Sequence, residues 1–304
     1  MSDNDSQLAP NGNKPELKLA VPEVKRLRAS GPILILAVLF VLGAFLSWYF
    51  SWFGRRLSDA DVTSYLSDQK HPRRVQHALL QVQERIAQGD PAARQWYPQV
   101  VRLANDPETE FRLTVAWLMG FDQKSDEFHQ TLLALVKDNE PIVRRNAALA
   151  LLRFGDATGR DQLRATLQPY AFTSPVGGIV ESALKEQSQV ARGSLLVRLR
   201  QPNNITEEVR SPLPGRIERV TVSPGATIAA GETLLTLTSD EESVWEALRG
   251  LSLVGEGDDL PVLELYERGS APGPQRSDRI KEQAALTAKA IKSRLAQSGQ
   301  VPKQ

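Results

Sequence analysis

The strongest constraint on this chain is an internal duplication in its second half. The stretch 177–199 aligns without gaps with 215–237, a period of 38 residues, and pairs such as Ile179 and Ile217 fall in register. Short segments of alternating apolar residues between glycine turns are typical of β-strands. A copy of roughly 35 residues cannot bury enough apolar surface by itself. The sequence therefore predicts two similar β halves that fold together as one unit.

A Ser-Pro pair precedes each copy, at Ser174 and at Ser211. Two such halves joined by a short connector resemble the biotinyl/lipoyl carrier fold, a barrel-sandwich hybrid. The resemblance implies a small all-β domain over residues 172–239, in which a hairpin between the halves presents a lysine for biotin or lipoate. Asn204 stands at that lysine position, and asparagine cannot form the amide that carries either cofactor. The resemblance thus implies a retained scaffold without an attached cofactor.

The same segment is similar to the lipoyl domain of periplasmic adaptor (membrane fusion) proteins, which is not acylated. Residues 209–215 look like the start of the second half of that domain. The connector 200–208 is far shorter than the long helical hairpin of those proteins. The resemblance implies an adaptor-like β domain, while the short connector argues against direct assembly with an outer-membrane channel.

Residues 31–53 contain no charged side chain and end in an aromatic cluster that includes Trp48 and Trp52. A helix of this length would cross the roughly 30 Å hydrocarbon layer of a bilayer, and aromatic residues favour its interfaces. The sequence predicts a single transmembrane helix here. Lysine and arginine are more frequent before the span than after it. We therefore expect a bacterial inner-membrane protein with its N-terminus cytoplasmic and most of the chain periplasmic.

Residues 57–169 show amphipathic helical patterns separated by short polar breaks. The stretch 103–112 matches 135–144 at a period of 32, with Asp106 aligned to Asp138. A period of this size indicates stacked helix pairs, and the segment resembles HEAT repeats. An ordinary helical bundle without true repeats is the alternative.

Helical patterns return over residues 240–296 and are compatible with a continuation of the repeats. The predicted fold class is therefore multi-domain α and β. It comprises one N-terminal transmembrane helix, an α-solenoid of HEAT-like helices, and a small all-β barrel-sandwich inserted before C-terminal helices. Insertion of a domain into a loop is tolerated when the two ends of the domain lie close together. Residues 1–30 are predicted to be a disordered basic tail, and residues 297–304 a disordered end.

Composition and motifs argue against catalysis. The chain has no cysteine, which excludes thiolate metal sites and cysteine nucleophiles. It has three histidines, and none shows metal-ligand spacing: His71, His77 and His129. No phosphate-binding loop or nucleophile elbow occurs. We predict a chain that is not an enzyme, with no catalytic, cofactor-binding or metal-binding residue and no cofactor.

The expected function is that of a membrane-anchored scaffold for protein–protein assembly. Its 37 basic and 36 acidic residues provide no net field for nucleic acid. The expected partners are therefore the membrane and other proteins, no nucleic acid is expected, and a homo-oligomer is left open. Two alternatives are an adaptor-like subunit of an envelope export or efflux system, and a biotin or lipoyl carrier.

Overall fold

The computed structural model describes residues 31–52 and 56–297, together with residue 299. The chain divides into two units, residues 1–56 and 57–304. In the described part of the first unit, helix α1 spans Gly31–Trp52. The predicted disordered tail over residues 1–30 lies outside the described residues, as does most of the predicted disordered end, although Gln297 is the last residue of a helix.

The prediction of a membrane-spanning helix is wrong. In the described part of the chain, no helix combines the length and the apolar character that a bilayer crossing requires. The transmembrane part of the predicted fold class and the inner-membrane localisation are both overturned by this finding.

The second unit contains helices arranged as consecutive pairs, and the second helices of the pairs, α3, α5, α7, α9 and α11, pack against one another in succession. A 3-10 turn over Pro91–Trp96 leads into the second pair. The helices are α2 Asp59–Leu66, α3 Pro72–Ala87, α4 Tyr97–Leu103, α5 Thr109–Met119, α6 Asp126–Leu135, α7 Pro141–Arg153, α8 Arg160–Thr166, α9 Glu241–Val254, α10 Leu260–Glu267 and α11 Asp278–Gln297.

Small residues set the spacing between the second helices. Ala147, Ala148 and Ala150 of α7 are all buried. A Cβ added at Gly120, which follows α5, would lie 3.1 Å from the Cβ of Ala150. One added at Gly159 would lie 2.6 Å from the Cα of Ala148. These positions therefore let neighbouring backbones approach closely, as ridge-and-groove packing requires.

The turns of the second and third helix pairs share one contact, between an aspartate and the arginine six residues after it. In the second pair the Arg112 Nη1 atom donates to the backbone oxygen of Asp106 at 2.9 Å. In the third pair the Arg144 Nη1 atom donates to the backbone oxygen of Asp138 at 2.7 Å. Each arginine thus satisfies a backbone carbonyl of the turn, three residues past the end of the first helix.

The same residues also join one pair to the next. The Arg112 Nε atom donates to Asp138 Oδ2 of the following pair at 2.8 Å. Arg144 Nε donates to Gln162 Oε1 of α8 at 3.2 Å. Burial alone would raise the pKa of Asp138, but the hydrogen bonds from Arg112 and from the Glu140 amide hold that pKa below its usual 3.8. These contacts from Arg112 to Asp138 and from Arg144 to Gln162, which we call the ladder, therefore hold consecutive repeats in one register.

The fourth pair is interrupted between α8 and α9 by a β-unit of eight strands. Neighbouring strands within each of its two four-stranded sheets are antiparallel. The strand orders are β1-β8-β6-β3 and β5-β4-β2-β7. The strands are β1 Tyr170–Thr173, β2 Gly178–Ala183, β3 Gln189–Val190, β4 Leu195–Arg200, β5 Thr206–Arg210, β6 Gly215–Val220, β7 Thr227–Ile228 and β8 Thr233–Ser239.

The two sheets exchange strands in a way that mirrors the sequence duplication. Shifting each strand number by four converts one sheet order into the other, so β1 corresponds to β5 and β8 to β4. The buried Ser174 receives a hydrogen bond on its backbone oxygen from the Gly231 amide at 2.8 Å. The buried Ser211 receives the equivalent bond from Gly193 at 2.7 Å. Each half is therefore fastened by a turn of the other half, as expected of two halves that are each too small to bury a sufficient apolar core.

Two buried arginines tie the β-unit to the helices. Arg145 of α7 donates from Nη1 to Ser243 Oγ at 2.8 Å and from Nη2 to Ser239 Oγ at 3.3 Å. Arg276, which precedes α11, donates from Nη1 to the backbone oxygen of Ser239 at 3.0 Å. Both arginines thus converge on the residue at which the chain leaves the β-unit.

Replacing Gly178 with alanine should destabilise the protein. The new Cβ would lie 2.8 Å from the backbone oxygen of Arg200, and that backbone belongs to the paired strand β4. Overpacking of this kind costs about 1–3 kcal/mol. Urea unfolding measures the change. Gly177→Ala is the matched control, because its Cβ would meet its nearest atom, the Ile228 oxygen, at an ordinary 3.5 Å. Equal midpoints for the two variants would contradict the close approach at Gly178.

Asp138→Asn should weaken the ladder while preserving the turn, since the side-chain oxygen of asparagine can still accept the hydrogen bond from the backbone N–H of Glu140. The loss of the charged partner of Arg112, whose side chain is only 14% exposed, should cost about 1–3 kcal/mol near neutral pH. Because the pKa of Asp138 is lowered in the folded state, this stability is present above the unfolded pKa. It is lost as the pH falls through the lowered value.

Thermal unfolding of the Asp138→Asn variant and the parent protein at neutral and acidic pH tests this expectation. Glu264→Gln provides the control, since its ion pair with Arg268 is exposed and should contribute less than about 1 kcal/mol. A difference for Asp138→Asn that persists unchanged in acid would contradict the role given to the carboxylate.

Candidate interaction surface

The second helices of the five pairs in the described part of the chain present equivalent residues on one surface. The ninth residue of each of these helices is, in order, Leu80, Trp117, Leu149, Arg249 and Leu286. We call this set the ridge. Three members are large apolar side chains that remain 52%, 39% and 60% exposed: Leu80, Trp117 and Leu286. Stacked repeats create extended surfaces on which they bind partners, and exposed apolar side chains at equivalent positions suit such a surface.

The centre of the ridge forms an open groove between α5, α7 and α9 with a volume of about 420 Å³. Trp117 and Leu149 line one side, and the 65% exposed Leu253 lines the other. Gly250 also lines the groove, where an added Cβ would lie 2.8 Å from side chains of Leu152 and Leu163. The groove therefore owes its shape to the close approach of α9 to its neighbours.

Two arginines border this groove, each stacked on an aromatic ring. The guanidinium of Arg153 lies 4.7 Å from the ring centre of Phe121, and that of Arg249 lies 4.6 Å from the ring centre of Trp245. Phe121 in turn contacts Trp117 edge to face at 4.8 Å. Stacking fixes the plane of a guanidinium while its edge N–H groups stay available to an acceptor.

The acidic residue of the groove is Glu246. The pKa of its carboxyl is raised, first because the group is partly withdrawn from water and then because Glu242 lies nearby with the same charge. The positive charges of Arg145 and Arg153 offset this only in part. The groove thus contains two arginines against one carboxylate whose ionisation is disfavoured.

Asn204, the residue at the expected attachment position, lies at the tip of the β4–β5 hairpin. Its φ is 60°, in the left-handed region that asparagine tolerates better than most residues. Its backbone N–H donates to the backbone oxygen of Gln201 at 3.0 Å, and the backbone N–H of Gln201 donates to the backbone oxygen of Ile205 at 2.9 Å. The side chain of Asn203 accepts from the Ile205 amide at 3.1 Å. Asn204 therefore serves the turn geometry and offers no amine.

Within the described residues there is no group of three or more histidine, cysteine, aspartate or glutamate side chains that could hold a metal ion. The residues that stand out instead are Trp117, Arg153 and Arg249, none of which was predicted as a functional residue from the sequence. A signal was present, because Trp117 and Leu149 are aligned by the 32-residue period. The correspondence between Leu149 and Arg249 does not follow the 32-residue period, because the β-unit interrupts the fourth pair.

Comparison with known proteins supports the interpretation of the helix pairs as HEAT repeats. Residues 98–171 match the family model described as HEAT repeats, which confirms that interpretation for helices α4 to α8. No curated protein matches the chain.

Among solved structures, the chain is similar to a single-chain, multi-domain long-chain acyl-CoA carboxylase with 20% identity and a TM-score of 0.23. The match covers 34% of this chain and 10% of that one, so the chain spans only a small part of that protein. A score this low carries no argument about fold or function. The biotinyl/lipoyl-like identity of the β-unit stays a prediction.

Glu246→Gln should stabilise the protein near neutral pH. The raised pKa means that the folded state binds a proton more readily than the unfolded state, so ionisation opposes folding. The variant should unfold at a higher temperature than the parent at pH 7, and the two should converge below the usual glutamate pKa of 4.5. Calorimetry at both pH values measures this, with Glu267→Gln at an exposed helix end as the control. A variant that unfolds earlier at pH 7 would contradict the assignment.

Proposed function

We propose that this chain is a non-catalytic scaffold that binds another protein along the ridge. HEAT repeats generally mediate protein–protein interactions, since stacked helix pairs create extended surfaces. The single observation that carries the proposal is the recurrence of Leu80, Trp117 and Leu286 as exposed apolar residues at the same position of the first, second and fifth helix pairs. Burial of these side chains against a partner would remove them from water.

The β-unit supports the same proposal in a second way. We interpret it as a biotinyl/lipoyl-like fold kept as a structural module, because its halves repeat at the sequence level and its sheets interchange under a four-strand shift. Asn204 cannot carry biotin or lipoate. A swinging cofactor arm is therefore not part of the proposed function, and the β-unit would act through its surface.

Trp117→Ala should abolish binding of the partner while leaving the fold intact. Aromatic residues at the centre of an interface commonly contribute about 2 kcal/mol or more, so recovery of the partner should fall by about tenfold or more. The measurement is quantitative mass spectrometry of proteins that co-purify with the tagged full-length chain, supported by thermal unfolding of the variant.

Leu265→Ala is the matched control, because Leu265 is a 41% exposed leucine on α10, a first helix that does not contribute to the ridge. Its co-purifying proteins should equal those of the parent chain. The proposal is rejected if Trp117→Ala, folded like the parent, recovers the same proteins in the same amounts.

A further inference from the structure

We infer that the groove recognises an acidic and apolar segment of its protein partner, with Arg153 and Arg249 binding the carboxylates of that segment. This inference deepens the proposed function and rests on it, since it specifies the chemistry of what the ridge binds. It is carried by the charge state of the groove, by the apolar side chains beside it and by its size.

The two arginines of the groove differ from the neighbouring Arg279. The Arg279 guanidinium also stacks on Trp245, at 4.0 Å from the ring centre, but it is paired with Glu242 at 3.3 Å. Arg153 and Arg249 have no ion pair with any acidic residue in the described part of the chain. Their charge is therefore not neutralised within the fold, although Glu246 lies near enough to interact weakly.

Geometry makes these arginines suited to carboxylates. Each guanidinium is held over a ring, so less side-chain freedom is lost when it forms hydrogen bonds. The planar edge of a guanidinium matches the two oxygens of a carboxylate, and such charge-assisted pairs are stronger than neutral hydrogen bonds. An acidic residue of the partner would thus meet a donor that is already oriented.

The apolar part of the ligand follows from the remaining lining. Trp117 of α5, Leu149 of α7 and Leu253 of α9 line the groove beside the two arginines, and Leu253 is 65% exposed. A volume of about 420 Å³ accommodates a few side chains and no folded domain. The occupant is therefore a segment that inserts apolar side chains and places carboxylates at the rim, as an amphipathic helix does.

Another occupant to consider is the N-terminal segment of the chain itself. That segment contains five basic residues, Lys14, Lys18, Lys25, Arg26 and Arg28, and four acidic ones, Asp3, Asp5, Glu16 and Glu23. Its net charge of +1 therefore has the same sign as the charge of the two groove arginines. An acidic segment supplied by a partner is favoured on charge complementarity.

The test uses two fluorescein-labelled amphipathic peptides of equal length and the full-length protein. One peptide has leucines at helical i, i+3, i+4 and i+7 spacing flanked by glutamates, and its twin has glutamine in place of each glutamate. Fluorescence anisotropy gives both affinities at low and high salt. The glutamate peptide should bind about tenfold more tightly at low salt, and the advantage should shrink as salt rises.

Variants then assign the effect to residues. Arg153→Gln combined with Arg249→Gln should remove the preference for the glutamate peptide, whereas Glu246→Gln should increase affinity for it by about two- to fivefold. Leu265→Ala should change neither affinity. Thermal unfolding verifies that each variant is folded, and single substitutions replace the double variant if it is not.

The outcomes separate this inference from the proposed function. Equal binding of the two peptides, or an unchanged preference in the arginine variants, overturns the acidic ligand while leaving the ridge as an apolar interface. Failure of both peptides to bind also overturns the inference, even if co-purification still depends on Trp117. If co-purification does not depend on Trp117 either, the proposed function itself is rejected.

Discussion

The pairing of β1 with β8 is the constraint on which the rest of the architecture depends. It places Tyr170 opposite Leu237 in an antiparallel ladder, so the chain enters and leaves the β-unit at the same point. Because the two ends meet, α8 and α9 can pack as a helix pair although a β-unit of eight strands separates them in sequence. A β-unit with distant ends would have split the solenoid at its fourth pair.

The β-unit replaces the turn between α8 and α9, and other contacts stabilise the junction between these two helices. In the second and third pairs an arginine satisfies free carbonyls at the turn, but the fourth pair has no such turn. There the buried Arg145 donates to side chains at the end of β8 and the start of α9, and the Tyr266 hydroxyl donates to the Leu167 oxygen at 2.9 Å. Burial lowers the pKa of Arg145, so its hydrogen bonds to Ser239 and Ser243 matter as compensation for its desolvation.

The sequence revealed those features that repeat locally. The 32-residue period exposed the Asp106 and Asp138 turns, and the 38-residue period exposed the two β halves, because each recurs within an uninterrupted stretch. The ridge was not predicted, because the inserted β-unit separates Arg249 from Leu149 in the sequence. The left-handed backbone conformation at Asn204 could not be predicted for another reason, since an asparagine in a polar turn can adopt several conformations. The predicted membrane span rested on the uncharged composition of residues 31–53, and no helix of the described residues meets the requirements of a bilayer crossing.

The position of the β-unit bears directly on access to the groove. Arg192 of the β-unit forms an ion pair with Glu110 near the start of α5, and Ile142 near the start of α7 packs against both apolar cores. The groove residues Trp117 and Arg153 lie instead near the ends of those same helices. The β-unit therefore occupies the turn side of the repeats and leaves the groove open, which is the arrangement that an interaction surface on the ridge requires.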